Sequence, residues 1–340
     1  MTILNLTTIN SRLPARLLAG PLACLLLVPA LHARSLDTDK DDVVNFVSEM
    51  QEKHGLDPEL VKSTLAQAEI KQGILDAISK PAERALKWFE YRPIFVTEKR
   101  ISQGHDFWNA NHDLVTRIGN EYGVAPEALV AIVGVETYYG RITGSHRVLD
   151  ALSTLAFEYP PRSKFFRSQL EEFFVLSGES GVDLLSATGS YAGAMGSPQF
   201  IPSSFRSFAV DEDGDGRIDL WENWNDVLAS VANYFKAHGW RQGEDVAARA
   251  TRKGKSIPGS RELGLKTTVG ALRAAGWKFD TSLGEDAPAM AIKLQGVNGP
   301  EYWVGFNNFH VITRYNHSVM YALAVHQLSQ EIVHRIKLPE

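Results

Sequence analysis

The stretch Ala128-Leu129-Val130-Ala131-Ile132-Val133-Gly134-Val135 has no polar face. Pro126 is a good first helical residue and Gly140 a good stop, so the spacing predicts a helix over 126–139, roughly 21 Å long at about 1.5 Å per residue. A helix that is apolar all round cannot lie on a surface; other helices must surround it. That requirement already favours a mainly α-helical fold with a large core. Glu136 ends the stretch, followed by Tyr138 and Tyr139. In apolar surroundings the neutral acid is favoured, so its pKa is expected to rise. A carboxyl still protonated near neutral pH suits general-acid work on a glycosidic oxygen. The plainer alternative is a helix-terminal Glu paired with Arg141 or a nearby backbone group.

The 340 residues are 44% hydrophobic and 22% charged, an ordinary globular composition. A formal charge of −5 and the lack of a long basic run argue against nucleic-acid binding. Residues 1–33 read as an export signal: Arg12 and Arg16, no acid, an apolar run from Leu17 to Leu31, and a small residue at Ala33. Cleavage there would move the charge from −5 to −7. Cys24 is the single cysteine, and Leu22-Ala23-Cys24 faintly resembles a bacterial lipoprotein site, but Pro21 stands where such sites carry an aliphatic residue. Periplasmic location without membrane attachment is therefore expected, and a chain cut after Ala33 needs no disulfide.

Further along, residues 43–123 show helical spacing, with Asp57 as a cap, Pro58 as a first residue and a helix over Phe107–Tyr122. Trp88 to Phe95 reads as an aromatic connection broken by Pro93. A helix opening at Pro161 carries the apolar stripe Phe166, Leu170, Phe173, Phe174 and ends at Gly178. Gly189 to Ser204 mixes glycines with Ser190, Gln199, Ser203 and Ser204, which suits either the wall of a sugar-binding cleft or a tight packing loop. After a helix over Asp226–His238, residues 246–312 become Gly- and Pro-rich, with strands expected at Ala289–Gln295, Tyr302–Val304 and Phe309–Ile312 and a short helix at Val269–Ala275. A last helix spans roughly Val319–Ile336. The organisation expected is a leader over 1–33, a helical domain over 34–105, a core over 106–245, a small β-containing insert over 246–312 and a returning C-terminal helix over 313–340.

Asp211 to Glu222 is the most specific local motif. Carboxylates stand at Asp211, Asp213, Asp215, Asp219 and Glu222, with Gly216 at the turn, which is the calcium-loop pattern. A hard cation needs several oxygens at once; the loop offers those side chains and the Arg217 carbonyl. A single loop with a short entering helix points to a structural Ca2+ rather than a sensor. No sequence signal calls for an organic cofactor.

Taken together, the chain closely resembles the bacterial lytic murein transglycosylase B family, glycoside hydrolase family 103. The resemblance is carried by Gly134-Val135-Glu136-Thr137-Tyr138-Tyr139-Gly140, Ser190-Tyr191-Ala192-Gly193-Ala194-Met195-Gly196, Gln199-Phe200, the acidic loop, Ser230-Val231-Ala232-Asn233-Tyr234-Phe235 and Arg314-Tyr315-Asn316. It implies a lysozyme-like core, a helical domain and a small β domain around a groove. It implies cleavage of the β-1,4 bond between N-acetylmuramic acid and N-acetylglucosamine in peptidoglycan, leaving 1,6-anhydromuramyl ends. Glu136 falls on the family's catalytic glutamate. Ser190, Gln199, Tyr234, Tyr315, Asn316 and Tyr321 fall on its saccharide-cleft positions, with Tyr91 a looser match. The partners implied are glycan strands, and association with other cell-wall enzymes is compatible with that role. Some members are outer-membrane lipoproteins, and this chain's leader lacks a convincing acylation site, which makes membrane attachment the less expected outcome.

Two other functions stay open from sequence. A lysozyme-like hydrolase would need a second carboxylate, for which Glu158 and Asp183 are the nearby acids. A calcium-stabilised peptidoglycan-binding protein would need no acid beside a polar cleft.

Overall fold

The computed structural model describes residues 34–79, 86–253 and 263–337; the leader expected over 1–33, Cys24 included, lies outside them. Strand β1 (Arg34–Ser35) pairs antiparallel with β2 (Glu69–Ile70) and encloses α1 (Asp41–His54) and α2 (Pro58–Leu65). Helices α3 (Gln72–Ser79), α4 (Trp88–Phe95), α5 (Glu98–Ala110) and α6 (His112–Tyr122) lead into α7 (Pro126–Thr137). Strand β3 (His146–Arg147) pairs with β4 (Thr188–Gly189) around α8 (Val148–Glu158) and α9 (Ser163–Ser180). Then come α10 (Pro202–Phe208) and α11 (Trp224–Ala237). An antiparallel sheet is built from β5 (Ala247–Arg252), β6 (Thr267–Thr268), β7 (Trp277–Lys278), β8 (Pro288–Gly296) and β9 (Gly299–Gly305), in the order β6-β8-β9-β5-β7, with α12 (Val269–Ala274) beside it. Helices α13 (Asn307–Tyr315) and α14 (Val319–Lys337) bring the chain back to α7.

Helix α7 is the centre that its sequence demands. Ala128 through Val135 are buried, and α5, α6, α11 and α14 pack around it. Each fully buried Leu, Ile or Val contributes roughly 1.5–3 kcal/mol, so the surrounding helices have a large incentive to converge there. One hydrophobic core extends from Leu36 to Ile332 and draws on α1, α7, α8, α9, α11 and α14. A smaller core, including Ala250, Val269, Leu272, Trp277 and Phe306, lies within the sheet region. Met290, Ile292 and Trp303 of the sheet join the larger core, so the β unit is anchored to the helices.

Helix α7 stops before Gly140. Tyr138 and Tyr139 both take left-handed backbone angles, with φ of 58° and 61°, and Gly140 continues at 77°. Non-glycine residues held there cost on the order of 1–3 kcal/mol each. Packing holds them: Tyr139 fits a slot where a Cβ on Gly104 would lie 2.4 Å from its hydroxyl and one on Gly134 2.7 Å from its ring. Its hydroxyl donates to the Arg100 carbonyl at 2.8 Å.

Four local expectations are corrected. Phe107 to Tyr122 is two helices, because Asn111 leaves helical geometry and its side chain caps the Phe107 carbonyl at 2.9 Å. Trp88 to Phe95 is a helix despite Pro93; a helix-interior proline costs about 3 kcal/mol, and the burial of Trp88 and Tyr91 offsets it. Helix α9 runs past Gly178 and ends at Gly181, which takes the left-handed cap. Phe309 to Ile312 is helical, not a strand. Asn308 explains this: its side chain accepts from the Arg241 N–H and donates to the Arg241 and Glu244 carbonyls, fixing a helix start where the sheet ends. Helices α5 and α13 also run across positions 105/106 and 312/313, where boundaries between units were expected.

Candidate active site

Glu136 reaches the site from the last turn of α7, half-buried. Its Oε1 accepts a hydrogen bond from the Tyr321 hydroxyl of α14. Burial raises its pKa, and the Tyr321 bond, which favours the ionised form, partly opposes that rise. The ion pair with Arg141, the plainer alternative, does not form among the described residues. No carboxylate among them contributes to the Glu136 shift either.

Tyrosines gather around this acid. Burial and then the Glu136 charge raise Tyr91, on α4, to about 12. The same two causes hold Tyr315 and Tyr321 well above the ordinary tyrosine value. All three therefore remain hydroxyl donors at neutral pH. Tyr315 donates to the Pro198 carbonyl at 2.6 Å, and Tyr234 of α11 donates to the Arg314 carbonyl at 2.7 Å. The Tyr234 and Tyr315 rings meet edge to face at 4.8 Å, and Phe200 packs on both. Burial raises Tyr234 to about 12 as well.

The loop after β4 is tied to the end of α7 at three points. Thr137 donates to the Ser197 carbonyl at 2.9 Å. Gln199, itself left-handed at φ 53°, donates through Nε2 to the carbonyls of Thr143 and Gly196, both at 2.9 Å. At Gly144 a Cβ would sit 2.1 Å from the Gly189 carbonyl oxygen, so the two segments touch backbone to backbone. Ser190 is half-buried at the start of this loop. Its hydroxyl oxygen accepts from the N–H groups of Ala192 at 3.3 Å and Ala194 at 3.1 Å, which leaves its own O–H to donate. Asn316 follows Tyr315 in extended conformation, and among the described residues nothing bonds its side-chain amide.

The structure thus places Tyr321, Tyr315 and Tyr91 near Glu136, joins Tyr315 to Tyr234 and to Pro198 beside Gln199, and sets Ser190 and Asn316 on adjoining segments. The hydroxyl and amide groups suit a polymer rich in hydroxyl and N-acetyl groups. A family model described as the transglycosylase SLT domain matches residues 38–330. The chain belongs to that family. It is 41% identical over 298 residues to the membrane-bound lytic murein transglycosylase B of Escherichia coli (strain K12), covering 84% of this chain and 81% of that protein. Among solved structures it is similar to the soluble lytic transglycosylase SltB1 of Pseudomonas aeruginosa, at 51% identity and a TM-score of 0.83 over 87% of this chain and 99% of that one. It is likewise similar to the Escherichia coli lytic transglycosylase Slt35 in complex with calcium, at 40% identity and a TM-score of 0.80 over 90% and 97%. The fold is mainly helical and lysozyme-like, and the protein is a peptidoglycan lytic transglycosylase.

In this transglycosylase the two acids considered for a hydrolase are engaged elsewhere. Glu158 pairs with Arg34 and Lys40, which hold its carboxyl below the ordinary range against the opposing effect of burial. Asp183 is held low by the Leu185 N–H and by Ser186.

The acidic loop is folded around its own backbone. Asp211 accepts from the N–H groups of Gly214, Asp215 and Gly216, Asp213 and Asp215 cap the next residues, and Asp219 accepts from Trp221 and Glu222. Glu222 is exposed. The carboxylates whose oxygens come within 4.8 Å of one another are Asp211, Asp213 and Asp226. Asp226 lies beyond the twelve-residue pattern and sequence reasoning missed it as a site residue. It is buried, and it accepts from the N–H groups of Glu212 and Asp219 at 2.9 and 2.8 Å. Three oxygen donors held this close suit a hard cation. Arg100 and the left-handed tyrosines were also missed; no residue pattern in the sequence marks them.

Proposed function

We propose that Glu136 carries the chemistry of the established activity, acting first as acid and then as base. It protonates the N-acetylglucosamine oxygen as the bond from muramyl C1 to that oxygen breaks. The ionised Glu136 then takes the proton from the muramyl O6 hydroxyl, which bonds to C1 and closes a 1,6-anhydro ring. No water is consumed, and attack within one sugar gains from proximity. The observation that carries this reading is a carboxyl at the end of the buried helix whose pKa burial raises, partnered by one hydroxyl and, among the described residues, by no second carboxylate. Without a carboxylate nucleophile, the substrate's N-acetyl oxygen supports the developing charge at C1, and the free Ser190 O–H orients that group. Tyr91, Gln199, Tyr234, Tyr315 and Asn316 form the walls that hold the saccharide.

The acidic loop is proposed as a structural Ca2+ site, supported by its oxygen-only donors and by the calcium complex of Slt35. Asp211, Asp213 and Asp226 would hold the ion, with Asp215, the Arg217 carbonyl, Asp219 and Glu222 completing the set. The ion would neutralise clustered carboxylates and fix the loop that leads into α11. Glycan strands are the proposed partner, and the periplasm, reached through the 1–33 leader, the proposed location. No helix of the described residues is long and apolar enough to cross a membrane.

The deciding experiment digests purified sacculi and weighs the released muropeptides. Wild type is expected to give anhydro ends, one water lighter than hydrolysed ends, and Glu136→Gln is expected to lose at least about 100-fold in rate. Reducing ends, or full activity in the variant, would overturn the assignment.

A further inference from the structure

Arg100 is a buried cation that the mechanism above leaves unused. It is 7% exposed, on α5, and no carboxylate pairs with it among the described residues. Its Nη1 donates to the Ile94 carbonyl at 2.6 Å, at the end of the helix that carries Tyr91. Its Nε has no hydrogen-bond partner among the described residues. Its guanidinium lies over the Tyr138 ring at 4.2 Å and near Phe95 at 5.4 Å. Its backbone carbonyl accepts the Tyr139 hydroxyl. One residue therefore grips both left-handed tyrosines, by its side chain and by its main chain. Desolvating a guanidinium without a counter-charge is costly, and this one is kept beside the turn that follows Glu136.

That turn decides where the chain goes next. Were Tyr138 and Tyr139 to relax, α7 would continue towards Gly140 and carry the following segment away from the cleft. Thr143, whose carbonyl takes the Gln199 amide, and Gly144, which lies against Gly189, would lose their places. Glu136 lies two residues before Tyr138, in the last turn of α7, so what packs beside its carboxyl would change with that turn.

We propose that Arg100 is a positioning residue for the transglycosylase reaction, holding the Tyr138-Tyr139-Gly140 turn and through it the aim of Glu136 and the cleft wall at Thr143. The inference rests on Glu136 as the acid. It needs no contact between Arg100 and substrate. Cation–π attraction to Tyr138 and the carbonyl bond to Tyr139 are the holding forces.

The test compares Arg100→Met, Arg100→Lys, Tyr139→Phe and Glu136→Gln on soluble glycan strands, each checked by circular dichroism. Arg100→Met is expected to lower kcat by about 10- to 100-fold, the scale of a small misplacement, with KM within about twofold. Arg100→Lys, which keeps the charge over the ring, is expected to recover most of the rate. In Arg100→Met and Tyr139→Phe the alkaline limb of the rate profile should move to lower pH, because a re-aimed Glu136 meets more water. The titratable groups facing Glu136 are Tyr321 from α14, Tyr315 from α13 and Tyr91 from α4, and all three titrate above that range. Wild-type kcat and pH profile in Arg100→Met, or a loss confined to KM, overturns the proposal. If Arg100→Met does not fold, Arg100→Gln, which can still donate to the Ile94 carbonyl but carries no charge over the Tyr138 ring, decides: a loss in kcat with the pH shift supports the proposal, and wild-type behaviour overturns it. Full activity in Glu136→Gln would overturn both readings; an inactive Glu136→Gln beside wild-type Arg100 and Tyr139 variants would overturn only this one.

Discussion

At the level of single residues, Glu136 is governed by two opposed influences of unequal size. Burial pushes its carboxyl towards the neutral form, and the Tyr321 hydroxyl pulls it back by hydrogen bonding to the ionised form. Removing that hydroxyl in Tyr321→Phe leaves burial unopposed, so the Glu136 pKa should rise further. A general acid must be protonated, so activity should persist to higher pH. The alkaline limb of kcat/KM against pH is expected to move upward in Tyr321→Phe, measured on soluble glycan strands. An unmoved limb would mean that the hydroxyl does not act on the carboxylate, and movement downward that it favours the protonated form. Linkage has the same sign for stability: a carboxyl with a raised folded-state pKa favours the fold fully below its unfolded value, and that contribution is lost as pH rises through the folded one.

At the level of elements, the acidic loop and α11 form one unit through Asp226. Its carboxylate takes two backbone N–H groups from the loop while sitting in the first turn of the helix. A buried donor left without a partner costs roughly 1–3 kcal/mol. Asp226→Ala is therefore expected to destabilise by about 2–5 kcal/mol, and Asp215→Ala, at an exposed position, by less than about 1, compared by urea unfolding in excess chelator. Equal effects would contradict the anchoring role. In wild type, chelation should lower the melting temperature and added calcium restore it; no shift either way would remove the ion from the account.

Across the whole molecule, α14 closes the structure. Tyr321 through Ser329, with Ile332, are buried, and the helix packs along α4, α5, α7 and α13. It supplies Tyr321 to the site and covers one side of the central helix. A chain ending before Val319 is expected to lose cooperative thermal unfolding, not merely activity, when followed by far-ultraviolet circular dichroism. A truncated chain that still melts sharply near the wild-type temperature would show that α14 is an accessory and not a closing wall.

Much of this was legible from local chemistry. The all-apolar run at 128–135 could only be a central helix, Asp57 and Pro58 could only start one, and the spacing of Asp211, Asp213, Asp215 and Gly216 specified a tight acidic turn whatever surrounded it. Those features depend on neighbours a few residues apart, which is information a sequence holds directly. What depended on distant segments was not legible. Phe309 to Ile312 fits either period, and the Asn308 bonds to Arg241 and Glu244 chose helix. The Glu136 helix had a good stop at Gly140, yet Gly104 on another helix made the slot that turned Tyr139 left-handed two residues sooner. Asp226 joined the acidic loop only because α11 folds back beneath it. The sequence by itself determined the central apolar helix, the carboxyl that ends it and the tight acidic turn. Tertiary packing alone decided how the chain leaves that acid, which hydroxyl touches it and which buried carboxylate supports the loop, because burial and long-range hydrogen bonds outweigh local backbone preference.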